Sequence, residues 1–208
     1  MRVLLVNGSP HAKGCTYTAL IEVAGALEKN GIETEIFQLG SKPVSGCLGC
    51  GVCENTGKCF MKDSVNEFSD KAMGVDGFIF GSPVHYASAS GMLTSFMDRV
   101  FYSNKVTGRF AYKPAAAVVS ARRAGTTATF DQINKYFAIS NMPIVSSQYW
   151  NMVHGLTPED VKKDLEGMQI MRTLGMNMAW ILKSIEAGKA AGIPLPEREE
   201  WVCTNFIR

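Results

Sequence analysis

Histidine is scarce, with three in 208 residues, too few to suggest a metal centre built on imidazoles. Charge of one sign is scarce too. The formal net charge is +2, too small to make nucleic acid or a membrane surface a main partner. Long apolar runs are missing: the longest falls well short of the ~20 residues a membrane span needs. The N-terminus lacks a charged region, an apolar stretch and a small-residue cleavage site, so the chain reads as cytoplasmic rather than secreted. Internal repeats, low-complexity linkers and a second core are also lacking, so residues 1–208 read as one domain. Hydrophobic residues make up 46% and charged residues 19%, the composition of an ordinary globular protein. A chain this long buries roughly 70% of the surface its unfolded form exposes. Cysteine is not scarce. Of the six, Cys47, Cys50, Cys53 and Cys59 lie within thirteen residues, with Cys15 and Cys203 outside the group. In a cytosolic protein such a cluster points to metal or redox chemistry rather than a disulfide framework.

Short apolar runs alternate with helical periods, the mark of βαβ units and a parallel sheet with helices on both faces. Val3 to Val6 is continuously apolar, as expected of a strand covered on both sides. A helix is expected from Cys15 to Lys29, stopped by Asn30-Gly31. Further strands are expected at Ile32 to Leu39, Gly77 to Phe80, Ala115 to Val119, and from Ile144-Val145. Ser64 opens a short helix with a capping box to Glu67. Helices follow at Gly91 to Tyr102 and Thr127 to Ile139. Thr157-Pro158-Glu159-Asp160 is a strong helix start. From it a long C-terminal helix runs to Lys189 with a break near Gly167. An extended tail from Ile193 completes a C-terminal section over 157–208. Gly46 to Cys59 is a glycine- and cysteine-rich loop.

Three strands end in turn-rich runs: Asn7-Gly8-Ser9-Pro10, Gly81-Ser82-Pro83 and Ser120 to Gly125. An open parallel sheet binds ligands outside the carboxyl ends of its strands, where all three runs gather. Gly8 and Gly14 allow sharp turns, Ser9, Thr16 and Thr18 offer hydroxyls, and amides at a helix N-terminus face an anion. An ordinary polar strand-to-helix turn is the plainer alternative. Four thiolates on a glycine-rich loop, spaced Cys47-x2-Cys50-x2-Cys53-x5-Cys59, suit one cubane iron-sulfur cluster. A zinc site and a loop of metal-free thiols are the alternatives.

Ser9 to Thr18 resembles the phosphate loop of the flavodoxin-like NAD(P)H-dependent FMN reductases, except that Cys15 stands where Asn is expected. Gly81-Ser82-Pro83-Val84-His85-Tyr86 resembles that family's second flavin loop. Ser90-Gly91 and Phe96-Met97-Asp98-Arg99 follow at its spacing. The cysteine motif resembles that of the iron-sulfur flavoproteins, and Trp201 to Arg208 resembles the family ending. The resemblance implies a flavodoxin-like, doubly wound, five-stranded parallel sheet of order 2-1-3-4-5. It implies FMN held by Ser9, His11, Gly14, Cys15, Thr16 and Tyr17. Pro83, Val84, His85 and Tyr86 would form a second wall, and Ser120, Arg122 and Gly125 a third. His85 is a candidate proton donor, or else a structural polar group. Arg122-Arg123 would attract the phosphates of NAD(P)H, or else form a solvated loop or a flavin-edge contact. Cys47, Cys50, Cys53 and Cys59 would hold a 4Fe-4S cluster. The implied protein is a homo-oligomer, a dimer or tetramer, taking electrons from NAD(P)H or from ferredoxin or another redox protein. A non-catalytic flavodoxin-type carrier and a cluster-free quinone reductase are the competing readings.

Overall fold

The computed structural model describes residues 1–200, 202 and 204. Strand β1 (Arg2–Asn7) lies inside the sheet because its apolar run has no polar face to give to water: Val3 to Val6 are fully buried. Helix α1 (Cys15–Lys29) returns the chain to β2 (Glu33–Gln38), which pairs with β1 in parallel. Strand β3 (Gly77–His85) takes the other side of β1, and β5 (Ala115–Ala121) follows it. The edge strand is β6 (Met152–His154). A two-residue strand, β4 (Ser88–Ala89), folds back antiparallel on Val84 and His85. The sheet order is β2-β1-β3-β5-β6, with β4 appended to β3. With β4 set aside, the five parallel strands keep the expected 2-1-3-4-5 order.

Alternate residues of each strand feed two cores. On one face Leu4, Val6, Phe78 and Phe80 meet α3 (Ser64–Lys71), α4 (Gly91–Lys105) and α5 (Thr126–Ile139) in a phenylalanine-rich layer. Phe68 and Phe96 pack edge to face there, with ring centres 5.2 Å apart. On the other face Val3, Leu5, Ile79 and Val118 meet α1 and the long α7 (Leu165–Ala190). The methionine stripe of α7 is core: Met168, Met171 and Met178 are buried against α1 and the sheet. Gly175 lets the two helices touch, since a Cβ there would lie 2.7 Å from the Ala26 Cβ and the Val23 carbonyl.

Several boundaries differ from expectation for identifiable reasons. Asp63, not Ser64, caps α3, its carboxylate accepting the Val65 amide. Strand β3 runs on through Pro83, because Pro83 still lies opposite Ser120. The edge strand does not start at Ile144-Val145. Ile144 makes only a bridge to Ala115, the chain then loops out, and pairing resumes at Met152. The C-terminal helix breaks at Asp164 rather than Gly167, after the short α6 (Pro158–Lys163). Asp164 caps α7 through the Gly167 amide, and a side chain at 167 would overlap that carboxylate. The loop 46–59 contains a single-turn helix, α2 (Val52–Thr56). Residues 193–200 carry no helix or strand. Trp201, Cys203 and residues 205–208 of the expected family ending lie outside the described residues. Among those described, no helix is long and apolar enough to cross a membrane.

Candidate functional site

Asn7, at the end of β1, organises the first loop. Its buried side chain donates to Gln38 Oε1 at 2.6 Å and accepts from the Ser9 amide at 3.2 Å. Gln38 in turn donates to the Ser9 carbonyl. The loop leads into α1 at Gly14, where no side chain caps the helix and no acid stands in the first turn. The first amides of any α-helix have no partner within it. Those of Thr16 and Tyr17 therefore face the loop with the positive end of the helix behind them. Buried Ser9 accepts from the His11 amide through its hydroxyl oxygen, which leaves its own proton for a further acceptor. His11 is exposed and Tyr17 half-buried. Cys15 does not face the loop: its thiol donates to the Gly155 carbonyl at 3.7 Å, and burial pushes its pKa up. Only its backbone is left to face the loop. The open amides and the free hydroxyl proton fit a phosphate ester.

The three loops meet through two close approaches that only glycine permits and through two hydroxyl bonds. The Gly8 amide donates to the Gly81 carbonyl at 2.8 Å, and a Cβ on Gly8 would lie 2.7 Å from that oxygen. Ser90 caps α4 and donates to the Gly8 carbonyl at 3.1 Å, fastening the helix to the first loop. Thr16 and Ser120, both buried, share a hydroxyl bond of 2.8 Å that joins the first loop to the third. Gly125 sits at φ +89°, where a Cβ would fall 2.5 Å from the Ala87 Cα and 2.8 Å from Val84 Cγ1. Tyr86 and Ala87 also have positive φ and form the tip of the β3–β4 hairpin. Tyr86 is wholly exposed there. His85 is exposed, Pro83 and Val84 half-buried, and Arg122 and Arg123 extend into solvent.

The cysteines form a second site beside α4. Cys47 and Cys50 are exposed, Cys59 half-buried and Cys53 buried, all as free thiols. All four line one small concavity, together with Leu48, Phe60, Met61, Arg99 and Tyr102. Gly49, Gly51 and Gly57 take left-handed φ and wind the loop tightly. The Gly49 amide donates to Cys47 Sγ at 3.5 Å. Burial raises the Cys53 thiol pKa, and the nearby sulfurs of Cys59, Cys47 and Cys50 raise it further. Among the described residues, no three His, Cys, Asp or Glu side chains converge on a point that would hold a single metal ion. Four cysteines lining one concavity are the donor set that a cubane iron-sulfur cluster takes.

Asn66, Asp63, Arg99 and Tyr102 had no role in this second site assigned from the sequence. Asn66 clamps Cys59 from both sides, accepting its amide at 3.0 Å and donating to its carbonyl at 2.7 Å. Asp63 pairs with buried Arg99, whose Nη1 donates to the carboxylate at 2.7 Å. Burial works against the Arg99 charge, but its bonds to Asp63 and Cys59 outweigh that and raise its pKa. The available signal was a charged residue on the edge of the Leu93, Phe96, Val100 stripe. Tyr102 donates to Glu54 at 2.8 Å. Helix α4 links the two sites. Ser90 touches the first loop and Arg99 the cysteines, nine residues on, or about 14 Å along the helix axis.

A family model described as NADPH-dependent FMN reductase matches residues 1–157. An iron-sulfur flavoprotein of Methanocaldococcus jannaschii is 34% identical over 198 residues, covering 89% of this chain and 100% of that one. RosB, solved with a bound 8-demethyl-8-formylriboflavin-5'-phosphate intermediate, aligns at TM-score 0.70 and 12% identity, over 100% of this chain and 92% of RosB. A flavodoxin from the domain Archaea aligns at TM-score 0.57 and 16% identity, over 88% of this chain and 99% of that one. At such identities these two structures share the fold, which is flavodoxin-like.

Proposed function

The chain belongs to the NADPH-dependent FMN reductase family, and on that premise we propose that it is an FMN-dependent oxidoreductase of the iron-sulfur flavoprotein type. The observation that carries this reading is the gathering of Cys47, Cys50, Cys53 and Cys59 in one concavity beside α4, the helix that Ser90 fastens to the first loop. FMN supplies hydride and single-electron chemistry, and a 4Fe-4S cluster supplies single-electron transfer. The chain's own residues bind and orient. Ser9 and the amides of Thr16 and Tyr17 hold the flavin phosphate, on a loop shaped by His11, Gly14 and Cys15. Pro83 to Tyr86 form one wall of the ring site, and Ser120, Arg122 and Gly125 another. Arg122 and Arg123 attract the phosphates of NAD(P)H. No acid or base side chain is required; His85, exposed at the end of β3, is the candidate proton donor. The four cysteines are the cluster ligands.

The electron donor is NAD(P)H or a ferredoxin-like protein, and the working form is a cytoplasmic homo-oligomer. Steady-state assays of FMN-loaded protein with a dye acceptor test the reading, using NADH, NADPH and reduced ferredoxin in turn. Turnover with at least one donor is expected. FMN that stays bound without turnover from any of the three would overturn the oxidoreductase reading and leave a flavodoxin-type carrier.

A further inference from the structure

Arg99 is a cation with almost no access to water: its side chain is 1% exposed. Arginine is almost never so buried unless paired. A guanidinium has five N–H donors, and five bonds leave this one. Nη1 donates to Asp63 Oδ2 at 2.7 Å and to the Ser45 carbonyl at 3.3 Å. Nη2 donates to Asp63 Oδ1 at 2.9 Å and to Cys59 Sγ at 3.2 Å, and Nε donates to the same sulfur at 3.4 Å. Two donors thus meet one sulfur. A neutral thiol accepts weakly, whereas bonds from a cation to an anion are short and strong. Ser45 lies just ahead of the first cysteine of the motif and Cys59 is the last, so one guanidinium joins both ends of the cysteine loop to α4.

We propose that Arg99 is the positioning residue of the cysteine site: it holds Cys59 in place and makes the cluster that Cys59 ligates easier to reduce. This rests on the cluster reading above. Hydrogen bonds to ligating sulfurs and nearby positive charge favour the reduced, more negative cluster. Asp63 supports Arg99 without touching the sulfur, which gives the test its control.

The experiment uses the full chain purified without oxygen, as wild type, Arg99→Lys, Arg99→Met, Asp63→Asn and the double variant Arg99→Met with Asp63→Asn. Two quantities are read: the cluster midpoint potential, by redox titration followed by electron paramagnetic resonance, and iron loss to a chelator. Both Met variants should be harder to reduce by about tenfold in the reduced-to-oxidised ratio, or about 59 mV for one electron. Their iron retention should fall about 10- to 100-fold, as when other partners of metal ligands are removed. Arg99→Lys should fall between them and wild type, and Asp63→Asn should be no harder to reduce than wild type. A purely structural role would change iron loss and leave the potential alone. A wild-type potential in the Met variants overturns the proposal, as does an equal negative shift in Asp63→Asn. If neither Met variant assembles a cluster, a wild-type potential in Arg99→Lys overturns it. Wild-type protein without iron would instead overturn the cluster reading, a separate result.

Discussion

At the scale of single residues, the first site depends on hydrogen atoms where other residues carry a Cβ. Gly8 approaches Gly81 so closely that a methyl group would meet the carbonyl oxygen at 2.7 Å and Leu93 at 3.0 Å. The carbonyl is backbone and Leu93 is fully buried, so neither can readily give way. Gly8→Ala is expected to destabilise the fold by about 1–3 kcal/mol, the usual cost of overpacking, and to weaken FMN binding by parting the first two loops. Urea unfolding and a flavin fluorescence titration check the two halves. Gly25, inside α1, is the control, because a methyl group there would meet no atom within 4 Å. Gly25→Ala should stabilise by about 0.4–1 kcal/mol through the unfolded chain and leave flavin affinity unchanged.

At the scale of elements, local signals set some helix ends and missed others by a few residues, since Asp63 rather than Ser64 caps α3 and the C-terminal helix breaks at Asp164 rather than Gly167. The α1 boundaries, Cys15 and Lys29, are as expected because Gly14 and Asn30-Gly31 act within a turn of them. The helix start at Thr157 is as expected for the same reason, and the structure adds a capping box: the Asp160 amide donates to the Thr157 hydroxyl and the Thr157 amide to the Asp160 carboxylate. Where the decision is made across the sheet, the sequence was silent. The interruption between Ile144 and Met152 follows from which residues face β5, and the extension of β3 through Pro83 from its pairing with Ser120. The capping box also has a pH signature. Bonds from the Thr157 hydroxyl and amide hold the Asp160 carboxyl below the ordinary carboxylate range. A carboxyl with a depressed folded pKa stabilises the protein fully above its unfolded value, about 3.9 for Asp. That stability is lost as pH falls through the lower folded value. Asp160→Asn should therefore melt below wild type at neutral pH, and the gap between the two melting temperatures should close on acidification below about pH 4. A gap that stays constant down to about pH 2 would contradict this.

At the scale of the whole molecule, α4 joins two sites of different legibility. The cysteine motif and the three turn-rich runs were readable because their chemistry lies in short stretches. Ser90 and Arg99 were visible only as spacing in the flavin-loop resemblance, their partners were not readable, and Asn66 carried no signal of a site. Arg99 reaches 40 residues back to Cys59, and Ser90 reaches 82 residues back to Gly8. Cys15 shows the converse, a residue in the right loop whose side chain serves Gly155 instead. On the proposed reading, one chain binds FMN at the carboxyl ends of its strands and a cluster at Cys47, Cys50, Cys53 and Cys59. The most direct measurement is iron and acid-labile sulfide per FMN on protein purified without oxygen. About four of each per FMN are expected for a cubane cluster. Bound flavin without iron or sulfide would contradict the claim and leave an FMN reductase whose cysteine loop holds only thiols.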